Sequence, residues 1–74
     1  MSNKTIVHSE MLDNETRLDV WQHDTTQIEK FTFRLVYLNE RGEGYASSAD
    51  GEWYETMAAS IAAGIIDYLM DHVS

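Results

Sequence analysis

The chain has 74 residues, thirteen acidic side chains against five basic ones, a net charge of −8, and neither cysteine nor proline. That length predicts one domain, residues 1–74, burying roughly 60% of the surface its unfolded chain exposes, so stability is marginal. The missing cysteine excludes disulfides and thiolate metal sites and fits a reducing cytoplasm. An acidic surface repels phosphate backbones, which argues against direct nucleic-acid binding and for a protein partner with a basic face.

The charge is uneven. Residues 1–39 hold six acids and four bases, whereas residues 40–74 hold seven acids and one base, Arg41. The N-terminal stretch Met1–His8 has no apolar run long enough for a signal peptide. The most apolar stretch, Met57 to Met70, is interrupted by Ser60, Gly64 and Asp67 and falls short of the ~20 residues of a membrane span. The sequence therefore reads as a soluble, cytoplasmic protein with no membrane contact.

Thr5 to Leu12 fits either a strand, favoured by Ile6 and Val7, or a short helical turn capped by Ser9. Asp13-Asn14 reads as a turn, since both residues bond their own backbone. Thr16 to Gln22 alternates, with Leu18 and Val20 on one side and Arg17, Asp19 and Trp21 on the other, the period of a half-buried strand. Asp24 to Gln27 is a polar connection. Ile28 to Leu38 is the clearest strand, with Phe31, Phe33, Leu35 and Tyr37 on one face. Asn39 to Gly44, a polar hexapeptide with two glycines, reads as a hairpin loop. Tyr45 to Ala49 returns as a short strand.

A helix is then predicted from about Glu52 to His72, with Asp50 as its cap and Glu52 and Glu55 at the positive end of its dipole. Tyr54, Met57, Ala58, Ile61, Ile65, Tyr68, Leu69 and His72 form an apolar stripe at three- and four-residue spacing. Thr56, Ser60, Asp67 and Asp71 form a narrow polar face. Ala59, Ala62, Ala63, Ile66, Met70 and Val73 extend the apolar arc beyond what one sheet face covers, which marks an interaction site. Small residues one turn apart, Ala59 with Ala63 and Ser60 with Gly64, let another backbone approach closely. The fold class that follows is α+β: an antiparallel meander of three or four strands with one long C-terminal helix packed on one face. The core is expected from Leu18, Val20, Phe31, Phe33, Leu35, Tyr54, Ile61, Ile65 and Leu69.

No pattern for catalysis emerges. His8, His23 and His72 lack zinc-site spacing, although His23 is placed to pair loosely with Asp19. Ser47, Ser48 and Ser60 lie in no nucleophile elbow. Gly42, Gly44 and Gly51 have no lysine to complete a phosphate loop. So short a chain also has little material for a pocket of ~300 Å³ or more. The reading is a non-enzyme with no catalytic, metal or cofactor residues.

Binding is the alternative. Glu40, Glu43, Asp50, Glu52 and Glu55, with Trp53 and Tyr54 among them, are expected to form one acidic rim facing a basic partner. Trp21 and Trp53 lie off the core pattern and are candidate anchors. The outer helix arc Ala59, Ala62, Ala63, Ile66, Met70 and Val73 is expected to seat either that partner or a second copy as a homodimer.

Lys30 to Leu69, with Ala58, Ala59, Ala62 and Ala63 in its helix, resembles the C-terminal part of a double-stranded-RNA-binding domain. Glu52 and Glu55 stand where that family has its basic cluster, so RNA binding is not implied. In length, charge, lack of cysteine and layout the chain also resembles small acidic proteins of phages and mobile elements, including anti-CRISPR proteins. That resemblance implies an inhibitor or adaptor that binds a host protein, in some cases by imitating nucleic-acid charge. The alternative is a homodimeric accessory protein without charge mimicry.

Overall fold

The structure, a computed structural model, describes residues 3–48 and 52–73. Four strands, β1 (Lys4–Met11), β2 (Thr16–His23), β3 (Phe31–Leu38) and β4 (Gly44–Ser48), precede one helix, α1 (Met57–Val73). The strands form one sheet in the order β1-β2-β3-β4, each pair antiparallel. The fold is the expected α+β meander with a C-terminal helix on one face.

Alternation in β2 and β3 sets the core. Leu18 lies opposite Leu35 and Val20 opposite Phe33, and these four buried residues are its centre. Leu12, Phe31, Tyr54, Ile61, Ala63, Ile65 and Tyr68 pack around them. Residues 5–11 are strand rather than helical turn. β1 is an edge strand whose register slips at Val7, between Ile6 and His8. Beyond β2, β3 begins at Phe31, three residues later than the alternation predicts.

The helix departs from expectation at its start. Tyr54 is not helical: its amide donates to the Phe31 carbonyl at 2.8 Å, and its own carbonyl accepts from Phe31 and Lys30, each at 3.0 Å. That short bridge beside β3 holds the Tyr54 ring 6.4 Å from Phe33. The cap is Thr56, whose Oγ1 accepts from the Ala59 amide at 3.0 Å, as a threonine at this position does. Glu52 and Glu55 therefore precede the helix, and its first turn holds no acid. Asp50, the cap expected from the sequence, lies outside the described residues.

The helix is also rotated. Ser60 is fully buried and Gly64 is buried, so the sheet meets two small residues one turn apart. A methyl group at Gly64 would sit 2.5 Å from Leu18 Cδ1 and 3.2 Å from Phe33 Cδ2. The small pair brings the helix close to the sheet, not to a second helix. Ile61, Ile65 and Tyr68 flank the contact. Leu69, expected in the core, is 49% exposed, because its position falls half a turn from the Ser60–Gly64 line.

Two substitutions separate space from propensity at this contact. Gly64→Ala gains about 1 kcal/mol of helix propensity, but overpacking against Leu18 costs about 1–3 kcal/mol, so the melting temperature is expected to fall. Ser60→Ala removes a buried hydroxyl that has no hydrogen-bond partner among the described residues, so the same measurement is expected to hold or rise. Gly64→Leu should not fold. A Gly64→Ala protein that melts higher than the parent would place the helix elsewhere.

Candidate functional site

The outward side of α1 is apolar along its length. With about 100° per residue, the positions opposite Ser60 and Gly64 are Ala58, Ala62, Ile66 and Leu69, with Ala59 and Met70 beside them. All six are exposed. Ile66 is 57% and Met70 69% exposed. None carries a charge, since Asp67 and Asp71 fall towards the sheet side. This surface overlaps the expected outer arc at Ala59, Ala62, Ile66 and Met70 and adds Ala58 and Leu69. Ala63 belongs to the fringe of the core instead, and Val73 is the last helical residue.

The acidic rim does not form as one patch. Trp53 and Glu52 adjoin the Tyr54 bridge at Phe31, where β3 begins. Glu40 and Glu43 lie in the hairpin beyond Leu38, where β3 ends. Strand rise sets those ends roughly 23 Å apart. Asp50 is outside the described residues.

The hairpin acids meet a different set. The Leu38 amide donates to the Glu15 carbonyl at 2.7 Å, joining the end of β3, where the hairpin begins, to the β1–β2 turn. Asp13, Glu15, Glu40 and Glu43 thus share one end of the sheet, all exposed. Each turn is held by its own side chain. Asp13 Oδ1 accepts from the Glu15 amide at 2.7 Å. Asn39 Oδ1 accepts from the Arg41 and Glu43 amides at 2.9 and 3.0 Å. Gly42 takes a φ of 79°, which a side chain would oppose.

Both tryptophans turn away from the core. Trp21 is half-buried, with Lys4 Nζ 4.8 Å from its ring centroid. Trp53 precedes the helix and stacks on His23 at 4.1 Å. His23 Nε2 meets Thr32 Oγ1 at 2.8 Å and does not engage Asp19. Partial burial, then Lys4, holds the His23 imidazole below its ordinary pKa. An open groove of about 530 Å³ borders it, lined in part by Asn3, Thr5, Gln22, Asp24 and Lys30. That is more space than the chain length implied, but it is shallow and polar. No group of three metal-ligating side chains is found among the described residues, and no helix there is long and apolar enough to cross a membrane.

Tyr68 ties α1 to the acidic end: its hydroxyl donates to Asp13 Oδ2 at 2.6 Å. That bond, then the Glu15 amide, holds the Asp13 carboxyl below its ordinary value, and Asp13 holds the Tyr68 phenol above its own. The lowered Asp13 value contributes stability above the ordinary carboxylate pKa, lost as pH falls through the folded value. The raised Tyr68 value contributes stability below the ordinary phenol pKa, lost as pH rises through the folded value. Tyr68→Phe is expected to flatten both limbs of the stability–pH curve and to return the Asp13 carboxyl upward in an NMR titration; an unmoved Asp13 titration would disprove the tie. Compared with known proteins, the chain matches no family model, no curated protein and no solved structure.

Proposed function

We propose that this is a protein-binding module, an inhibitor or adaptor of phage or mobile-element origin, that docks through the outward face of α1 onto a host protein. The observation that supports this reading most is the uncharged exposed arc of Ala58, Ala59, Ala62, Ile66, Leu69 and Met70. Exposed contiguous apolar surface of this kind marks interaction sites, and the helix-in-groove mode reads such a face through anchors three and four residues apart.

Charge favours a basic partner over a second copy. The segment from Glu52 to Asp71 holds Glu52, Glu55, Asp67 and Asp71 and no lysine or arginine. An isologous pair brings together two copies of a chain of net charge −8, whose like charges repel. A host groove bordered by lysine and arginine meets the opposite field. The acidic end, Asp13, Glu15, Glu40 and Glu43, adds attraction over the ~8–10 Å of the Debye length and speeds association. The second reading, a homodimer through the same arc, is favoured only by its apolar character. Salt separates the two: a basic partner is released as salt rises, whereas a homodimer tightens as repulsion is screened.

The test places a photo-crosslinking amino acid at Ile66 and, as a control, at Gln27, in protein mixed with host lysate. A single adduct specific to position 66, suppressed by Leu69→Glu and by high salt, is the expected result. Leu69→Glu should leave folding unchanged, because that position is exposed. Equal crosslinking from both positions, or an adduct unaffected by Leu69→Glu, would remove the helix face as the binding surface. An adduct between two copies of the chain would select the homodimer.

A further inference from the structure

The sheet has a second face that α1 does not cover, and the chain's cations gather there. The strand registers place Lys4, Ile6, Ser9 and Met11 of β1, Arg17, Asp19 and Trp21 of β2, and Thr32 and Arg34 of β3 on this side. Three of the five basic residues of the chain are among these strand positions, against one of its thirteen acids. The other described residues hold two bases and eleven acids. A protein of net charge −8 therefore presents one face of opposite sign.

The single carboxylate is already occupied. Asp19 is buried on this face, its side chain 4% exposed, as is Val36, opposite Arg17 in the register. Arg17 Nε and Nη2 donate to Asp19 Oδ1 and Oδ2 at 2.9 and 3.0 Å, and Ser9 Oγ donates to Oδ1. Asp19 thus fixes the Arg17 guanidinium in place. Arg34, opposite Asp19 in the register, is exposed and forms no ion pair among the described residues. Lys4 is exposed and rests on Trp21. Ile6 and Met11, also exposed, add apolar surface along the edge.

We propose that this open sheet face is a second docking surface, and that its occupant is an acidic, extended segment of a partner protein. Carboxylates of the segment meet Arg34 and Lys4, and its apolar side chains meet Trp21, Ile6 and Met11. Tryptophan, arginine and methionine are the residue types enriched where protein partners bury surface. Single-stranded nucleic acid fits less well. It uses several aromatic platforms in a basic groove, whereas Trp21 is the one tryptophan among these strand positions, and the twelve acids elsewhere on the chain repel a polyphosphate. The face lies on the side of the sheet opposite α1, across a molecule whose shortest extent is 16 Å. Both surfaces are therefore open to simultaneous use, and the chain is built as a two-sided adaptor with partners of opposite charge.

The test is fluorescence anisotropy with a labelled twelve-residue peptide of alternating glutamate and valine, set against its lysine–valine counterpart and a twelve-nucleotide thymidine strand. Saturable binding of the glutamate peptide alone is expected, weakened as salt rises from about 50 to 300 mM. Arg34→Glu should weaken it by about ten-fold or more, and Arg34→Gln, which puts no second carboxylate beside Asp19, should weaken it several-fold with an unchanged far-ultraviolet spectrum and melting temperature because Arg34 is exposed. Leu69→Glu, on the helix face, should leave it unchanged, so the two surfaces fail or succeed independently. No saturable binding of the glutamate peptide, equal binding by the Arg34→Glu protein, or tighter binding of the thymidine strand would each overturn the proposal.

Discussion

The contact between Gly64 and Leu18 fixes the rest of the molecule. Leu18 is fully buried at the centre of the sheet, and α1 seats on it only because Gly64 offers no Cβ. Ser60, one turn earlier, extends the same narrow stripe. Close seating sets the rotation of the helix, and rotation decides every other position on it. Ile61, Ile65 and Tyr68 fall to one flank and close the core there, and Ala63 falls to the other. Ile66, Leu69 and Met70 have nowhere to go but outward. The exposed apolar face is a consequence of packing small residues inward.

This explains how the sequence misleads about the helix. Hydrophobic periodicity assigns the largest apolar residues to the buried side, and the stripe through Met57, Ile61, Ile65 and Leu69 satisfies it. Ser60 and Gly64 then look like a polar gap. Sheet–helix packing rewards distance of approach as well as apolar area, and a composition-weighted pattern does not carry that preference. The small-residue spacing was visible, but nothing in one sequence says whether a strand or a second helix answers it. The helix start misleads for a related reason. Tyr54 falls on the extrapolated stripe, three residues before Met57, yet its backbone groups are taken by Phe31 across β3. Thr56 is the better cap, and its hydroxyl is the local signal that marks the boundary.

The strands were more legible because period-two alternation has fewer competing explanations. Leu18 and Val20 against Leu35 and Phe33 follow directly from it. β1 was ambiguous because an edge strand with a register slip at Val7 has no buried face to impose alternation. The acidic rim failed on topology rather than chemistry. Glu43 and Glu52 are nine positions apart in the chain, but one adjoins the hairpin that ends β3 and the other the bridge at its beginning. In a meander, turns alternate between the two ends of the sheet, so Glu40 and Glu43 join Asp13 and Glu15. The groups nearest in space came from the first turn, not from the following helix.

The same topology sorts charge. Strand positions facing away from α1 carry Lys4, Arg17 and Arg34, while nearly all acids sit in turns, at the sheet ends, or on the helical segment. A buried carboxylate on an uncovered sheet face is costly unless it is paired and fully hydrogen-bonded. Asp19 meets that condition through Arg17 and Ser9. Its burial is thus tied to the cations around it: an acidic neighbour in place of Arg34 adds repulsion beside a carboxylate already out of water. The net charge of −8 describes no single face of this protein. One side is uncharged helix, the other is cationic sheet, and the acids between them keep the two surfaces electrostatically distinct.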